Sequence, residues 1–260
     1  MAAASPASKA AASAAWKTAP LVSGVVASRE ALAPLAFGEA PRIGILGDSG
    51  TGKTEAARAL VKDWITRVPS FALVLDDKEL RARFEGQERR DLADLAAQPP
   101  APEPRVLVLR GDVRRGVEVD PEEAAAWAWA MAARNRASLV VYDELTRAAR
   151  NGRWLAGRDS LFPKTFGQGR AAGLSSIWGT QSPQDAPREP FEQSSVIYCF
   201  RLDGLGLNTL VDRNYVLDEG LAEVIRSLPG DELPPPERGY FVLLRRGRPW
   251  DGNVYRYSAS

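Results

Sequence analysis

The octapeptide Gly47-Asp48-Ser49-Gly50-Thr51-Gly52-Lys53-Thr54 follows directly on the apolar run Ile43-Gly44-Ile45-Leu46, and it constrains the fold more than any other feature of this chain. It is a complete G-x-x-x-x-G-K-T pattern with a strand before it and a helix after it, the setting in which the pattern has physical meaning. The glycines let the backbone turn tightly and point its N–H groups into one concavity. The positive end of the following helix adds to that field, so the concavity favours phosphate oxygens. Lys53 supplies a point charge for the β- and γ-phosphates, and Thr54 offers a hydroxyl to Mg²⁺. The residues 47–54 therefore predict a nucleoside triphosphate site, with ATP and Mg²⁺ as the expected ligands.

From Pro41 onward, strand and helix signals alternate, as in a parallel sheet covered by helices. Strands are expected at 42–46, 71–75, 106–109, 139–142, 175–179, 196–200 and 240–244, with a helix over 53–67. The last strand forms a C-terminal hairpin around Arg246-Gly247-Arg248 with a return strand near 253–257. Asp120-Pro121-Glu122-Glu123 opens another helix with a capping residue, a proline and early acids, and its Trp127 and Trp129 are expected to pack. A polar, helix-prone stretch, 79–97, leads to the cluster Pro99, Pro100, Pro102 and Pro104, which reads as a surface connection. Residues 1–36 form an Ala/Ser-rich arm with too few branched apolar residues for a core, and 37–260 form the α/β domain. The arm could dock on a neighbouring subunit or a membrane surface, and its lack of acids before Glu30 also gives it the look of a transit peptide.

Composition narrows the chemistry. The chain has no histidine and one cysteine, Cys199, so acid–base work falls to carboxylates, and no internal disulfide can form. The net charge of +1 announces no nucleic-acid partner, but of 34 basic residues only six are lysine, and arginine favours planar, bidentate phosphate contacts. No stretch approaches the ~20 apolar residues needed to cross a bilayer.

Leu139-Val140-Val141-Tyr142-Asp143-Glu144 puts two carboxylates at the carboxyl end of a buried strand, the edge where the phosphate loop also sits. Asp143 is placed to hold Mg²⁺ through water, and Glu144 to orient or deprotonate the attacking water. Ile177-Trp178-Gly179-Thr180-Gln181 closes the next strand on a polar residue. Gln181 can then lie between the acids and the loop and sense the γ-phosphate.

Just before that strand stands Gly169-Arg170-Ala171-Ala172-Gly173-Leu174. This block, followed by Gly179-Thr180-Gln181-Ser182-Pro183, resembles the FtsK–HerA superfamily of DNA-pumping ATPases. The likeness continues through Val196–Arg201 and Asn208–Asp212. Asp76-Asp77-Lys78 is similar to the family's Asp-Pro-Lys, with Asp77 in place of the proline. The resemblance covers about residues 41–245. It implies a RecA-like, ASCE-type P-loop NTPase core, assembled as a ring, usually a hexamer, around double-stranded DNA. It also implies an arginine supplied in trans to the neighbour's site, an effect of roughly 10³–10⁵ in rate. Arg170 is the first candidate, with Arg201 and Arg158 behind it.

Basic clusters at Arg147, Arg150, Arg153, Arg158 and Lys164 around Trp154, at Arg114-Arg115, and at Arg245, Arg246 and Arg248 could face DNA phosphates. Each taken alone reads first as a solvated charged face. The extra modules usual in the family are not evident here, and a compact ATPase of this kind looks most like the genome-packaging ATPases of membrane-containing double jelly-roll viruses. That implies a virion-associated or host-cytoplasmic location, with capsid or viral membrane proteins as further partners. The alternatives are a cellular or plasmid translocase for repair, segregation or conjugation, and a nucleotide-switched binding module. The second is opposed by the lack of an Asn/Thr-Lys-x-Asp string and by Glu144.

Overall fold

The computed structural model describes residues 40–68, 71–76, 84, 87–89, 105–110, 119–134, 138–150, 154, 160–232 and 238–256. The expected arm, Asp77, Lys78, the proline cluster, Arg114, Arg115, Arg153 and Arg158 lie outside the described residues.

In chain order the elements are β1 (Arg42–Leu46), α1 (Lys53–Arg67), β2 (Phe71–Asp76), β3 (Gln87–Arg89), β4 (Arg105–Arg110), α2 (Pro121–Ala133) and β5 (Ser138–Tyr142). Then come α3 (Leu145–Ala148), α4 (Leu161–Gly167), β6 (Leu174–Thr180), α5 (Arg188–Gln193), β7 (Val196–Cys199), α6 (Gly204–Asp212), α7 (Glu219–Ser227), β8 (Tyr240–Leu244) and β9 (Val254–Arg256). The strands form one sheet in the order β3-β4-β2-β5-β6-β1-β7-β8-β9. Pairing is parallel from β3 through β7, and β8 and β9 add an antiparallel hairpin at the far edge.

The central strands are buried on both faces, which is why they read as near-continuous apolar runs. One face carries Ile43, Ile45, Val74, Val141 and Ile177 against Leu60, Val61 and Trp64 of α1. The other carries Leu46, Leu73, Val140 and Trp178 against Ala124 and Ala128 of α2, Phe162 and Phe166 of α4 and Leu210 of α6. Helix α2 starts as its sequence demands: Pro121 opens it and the Asp120 carboxylate accepts the Glu122 N–H. Trp127 packs edge-to-face on Phe71, and Trp129 Nε1 donates to Thr165 Oγ1.

Within the stretch 79–97, Gln87–Arg89 departs from the helix-prone reading: it is a parallel strand on the sheet edge. An edge strand has one neighbour and needs no apolar alternation, so its polar sequence hid it.

Candidate nucleotide site at the carboxyl edge of the sheet

Strand order decides the site. β6 lies between β1, which feeds the phosphate loop, and β5, which ends in the acids. Three strand ends carrying Gly47–Thr54, Asp143-Glu144 and Gln181 therefore converge on one edge, as ligand sites of open parallel sheets do.

The loop's geometry follows from its glycines. Gly50 and Gly52 have φ of 76° and 105°, a region costly for other residues. Gly52 is the N-cap of α1 and no side chain caps that end, so the first N–H groups of the helix stay directed at the concavity. Thr51 Oγ1 donates to the Asp48 carbonyl (2.9 Å), closing the loop on itself. Lys53, only 7% exposed, donates from Nζ to the carbonyls of Gly47 and Asp48, both at 2.6 Å.

Across the edge, Thr54 Oγ1 donates to Asp143 Oδ1 at 3.2 Å. A hydroxyl and a buried carboxylate meeting there are hard oxygen donors of the kind Mg²⁺ takes alongside phosphate oxygens and waters. Among the described residues no group of three or more ligating side chains converges. Glu144 is 9% exposed; its Oε2 accepts the Gln181 backbone N–H at 3.3 Å, and its Oε1 has no hydrogen-bond partner. The Gln181 side chain is exposed at the same edge. Gly179 makes this approach possible, since a Cβ there would lie 2.7 Å from the Asp143 carbonyl oxygen.

The three trans-arginine candidates separate. Arg201 sits beside its own phosphate loop, with Asp48 at 3.7 Å, Asp231 at 3.6 Å and Glu232 at 2.8 Å. Its carbonyl accepts the Asp48 N–H. Burial lifts the Asp48 carboxyl above the usual range, against the pull of Arg201. Arg170 is exposed on a short 3₁₀ turn, 169–172, ahead of β6 and near Arg42. It thus lies at the opposite edge of the sheet from its own loop: the seven residues of β6 at about 3.3 Å each put roughly 20 Å between them. Arg158 lies outside the described residues.

Sequence reasoning missed the segment following α7. The Arg238 guanidinium donates to the carbonyls of Gly50 (3.3 Å) and Asp231 (2.9 Å), and a Cβ on Gly50 would strike Asp231. No local pattern signals a contact made across some 180 residues. Of the basic clusters, Arg147, Arg150, Arg246 and Arg248 are exposed. Trp154 instead packs on Phe162 and Phe166, with ring centroids at 5.1 and 5.5 Å.

No family model matches the chain, and no curated protein matches it in sequence. Solved structures do match in fold. The genome packaging NTPase B204 of Sulfolobus turreted icosahedral virus 2, in complex with AMPPCP, is similar at 15% identity and a TM-score of 0.58, over 80% of this chain and 93% of that one. The pCW3 conjugation coupling protein TcpA is similar at 14% identity and a TM-score of 0.53, over 85% of this chain and 60% of that one. The fold is thus an α/β P-loop NTPase fold with a mostly parallel sheet flanked by helices. The likeness drawn from the motifs is met at the level of fold.

Proposed function

We propose that this chain is an ATP-hydrolysing, double-stranded DNA translocase, and that its work is genome packaging: pumping DNA into a capsid. The observation that carries the reading is the convergence of the phosphate loop, the Asp143-Glu144 pair and Gln181 on one sheet edge. Lys53 and the loop N–H groups bind the triphosphate; Lys53 exchanges its two loop carbonyls for phosphate oxygens as ATP enters. Thr54 and Asp143 hold Mg²⁺, which when bound neutralises charge on the β- and γ-phosphates. Glu144, with one oxygen tethered and the other unpaired, takes the proton of the attacking water. Gln181 reads whether the γ-phosphate is present.

Copies of the chain form a ring, a hexamer in this proposal, in which Arg170 completes the neighbour's site. Its distance from its own loop supports that arrangement. Support for packaging comes from the B204 fold, which spans 93% of that viral protein. A conjugative translocase is the second reading, favoured by the TcpA fold.

The test is phosphate release with and without double-stranded DNA. The expected result is hydrolysis that rises with DNA and falls roughly 10²–10⁴-fold in Glu144→Gln, the usual contribution of a general base. Hydrolysis indifferent to DNA, from a chain that stays monomeric in light scattering, would overturn the motor reading.

A further inference from the structure

The one hydrogen bond shown on the Glu144 carboxylate, from the Gln181 N–H at 3.3 Å, is long for its type and a weak tether for a group that must hold a water in line. The ladder between β5 and β6 does not help, because its last pair is Tyr142↔Trp178. There the β5–β6 register ends, with Asp143-Glu144 following on one side and Gly179-Thr180-Gln181 on the other. On the opposite flank β1 still pairs with this end of β6, through Ile45↔Gly179 and Leu46↔Thr180. The end of β6 is therefore fixed to the phosphate loop's strand, and what remains to be set is the acid side.

One strong contact spans that gap. Thr146 Oγ1 and Thr180 Oγ1 lie 2.6 Å apart, with the two residues 9% and 0% exposed. Thr180 Oγ1 also accepts the Ser182 N–H at 3.1 Å, which orients its hydroxyl. Thr146 stands two residues after Glu144 in α3, whose first turn bonds back to the Glu144 carbonyl through the N–H groups of Arg147 and Ala148. Anchoring Thr146 thus anchors the turn that begins at Glu144. We propose that the Thr146–Thr180 hydroxyl pair is the positioning device for Glu144, holding its carboxylate at the distance from β6, and so from the phosphate loop, that hydrolysis needs. The inference rests on the reading of Glu144 as the base.

The test uses the full chain, ATP and Mg²⁺. Thr146→Val keeps shape and removes the hydroxyl; Thr146→Ala repeats the removal with a smaller side chain; Thr146→Ser restores the hydroxyl. Ser138→Ala is the control, a fully buried serine at the opposite end of β5 from the acids, whose hydroxyl donates to the Ala128 carbonyl. The expected result is a kcat roughly tenfold lower in Thr146→Val and Thr146→Ala, in line with the cost of misplacing a catalytic group by a fraction of an ångström. KM for ATP stays within about twofold of the parent, because the phosphate loop is untouched. Thr146→Ser keeps the parent kcat, and Ser138→Ala keeps it too even where its unfolding midpoint drops. Parent-like kcat in Thr146→Val, or a loss shared equally by Ser138→Ala, overturns the proposal while an inactive Glu144→Gln leaves the base assignment standing. A fully active Glu144→Gln overturns both together.

Discussion

The position of Arg170 makes a quantitative prediction about mixed assemblies. Arg170 stands at the amino edge of the sheet and the phosphate loop at the carboxyl edge. The seven residues of β6 between them amount to roughly 20 Å, further than an arginine side chain extends. If Arg170 acts at all, it acts on another subunit, through a head-to-tail contact of the kind that closes into rings. Arg170→Ala should then lose about 10³-fold or more in hydrolysis, and Glu144→Gln a comparable amount, each alone. Co-assembled in equal amounts, the two variants regenerate complete sites wherever an Arg170→Ala subunit, with its intact Glu144, meets Arg170 of a Glu144→Gln neighbour. Random mixing makes this about one half times one half, so about a quarter of all sites become complete in a heterologous ring. Steady-state phosphate release from the mixture is the assay, with the separate variants as baselines. A mixture no more active than the sum of its parts would refute the trans assignment, as would an Arg170→Ala chain that hydrolyses ATP at the parent rate.

Other consequences are simpler to read. Lys53→Ala removes the one lysine lodged within the loop, and ATP affinity followed by a fluorescent analogue should fall at least tenfold. Gly179→Ala puts a Cβ 2.7 Å from the Asp143 carbonyl; overpacking of this kind costs about 1–3 kcal/mol in urea unfolding and should raise the Mg²⁺ concentration needed for hydrolysis. The Glu122 carboxylate clasps the start of α4, accepting from Ser160 Oγ and from the N–H groups of Leu161 and Phe162. Burial pushes its carboxyl up, but these bonds and Lys164 outweigh burial and leave it below the usual range. A depressed carboxyl contributes stability above the ordinary carboxylate range and loses it as pH falls through the folded value. Glu122→Gln should therefore cost about 1–2 kcal/mol at pH 7, and the difference should shrink as pH falls through the folded carboxyl's lowered value, measured by chemical denaturation. Cys199 is buried, and burial raises its thiol well above the ordinary value; alkylation at pH 8 should be negligible in the folded chain and rapid in urea.

What was legible in the sequence was whatever is carried by short stretches with one strong cause. A glycine-rich turn between an apolar run and a helix has few other uses, and acids at the end of Leu139–Tyr142 must emerge at a strand's carboxyl end. Alternating apolar runs and helices yield a parallel sheet because such strands need crossovers. The position of Gln181 between the loop and the acids followed from motif order rather than periodicity, and β6 does run between β5 and β1. Gln87–Arg89 was hidden because an edge strand is free of the pattern that marks central ones.

The partners of the phosphate loop were illegible for a different reason, and they alter the reading of an arginine. Arg201 closes a strand in the stretch that resembles the DNA-pumping ATPases, which made it a candidate for service in trans. Its guanidinium is instead met by Asp48 from the loop and by Asp231 and Glu232 from a segment after α7. Arg238 binds the same segment to the Gly50 carbonyl. Charge identity is local, but which charges neutralise one another depends on where distant loops return, and no spacing rule encodes that. Of the three carboxylates around this guanidinium only Glu232, at 2.8 Å, accepts a hydrogen bond, and the three together form a network that holds it more firmly than an isolated surface pair would. An arginine so held in its own subunit is poorly placed to cross into the next, whereas Arg170 is exposed and distant from its own loop. In the proposed ring, Arg170 is therefore the described candidate whose placement does not commit it to its own loop, whereas Arg201 fastens the segment after α7 against the phosphate loop.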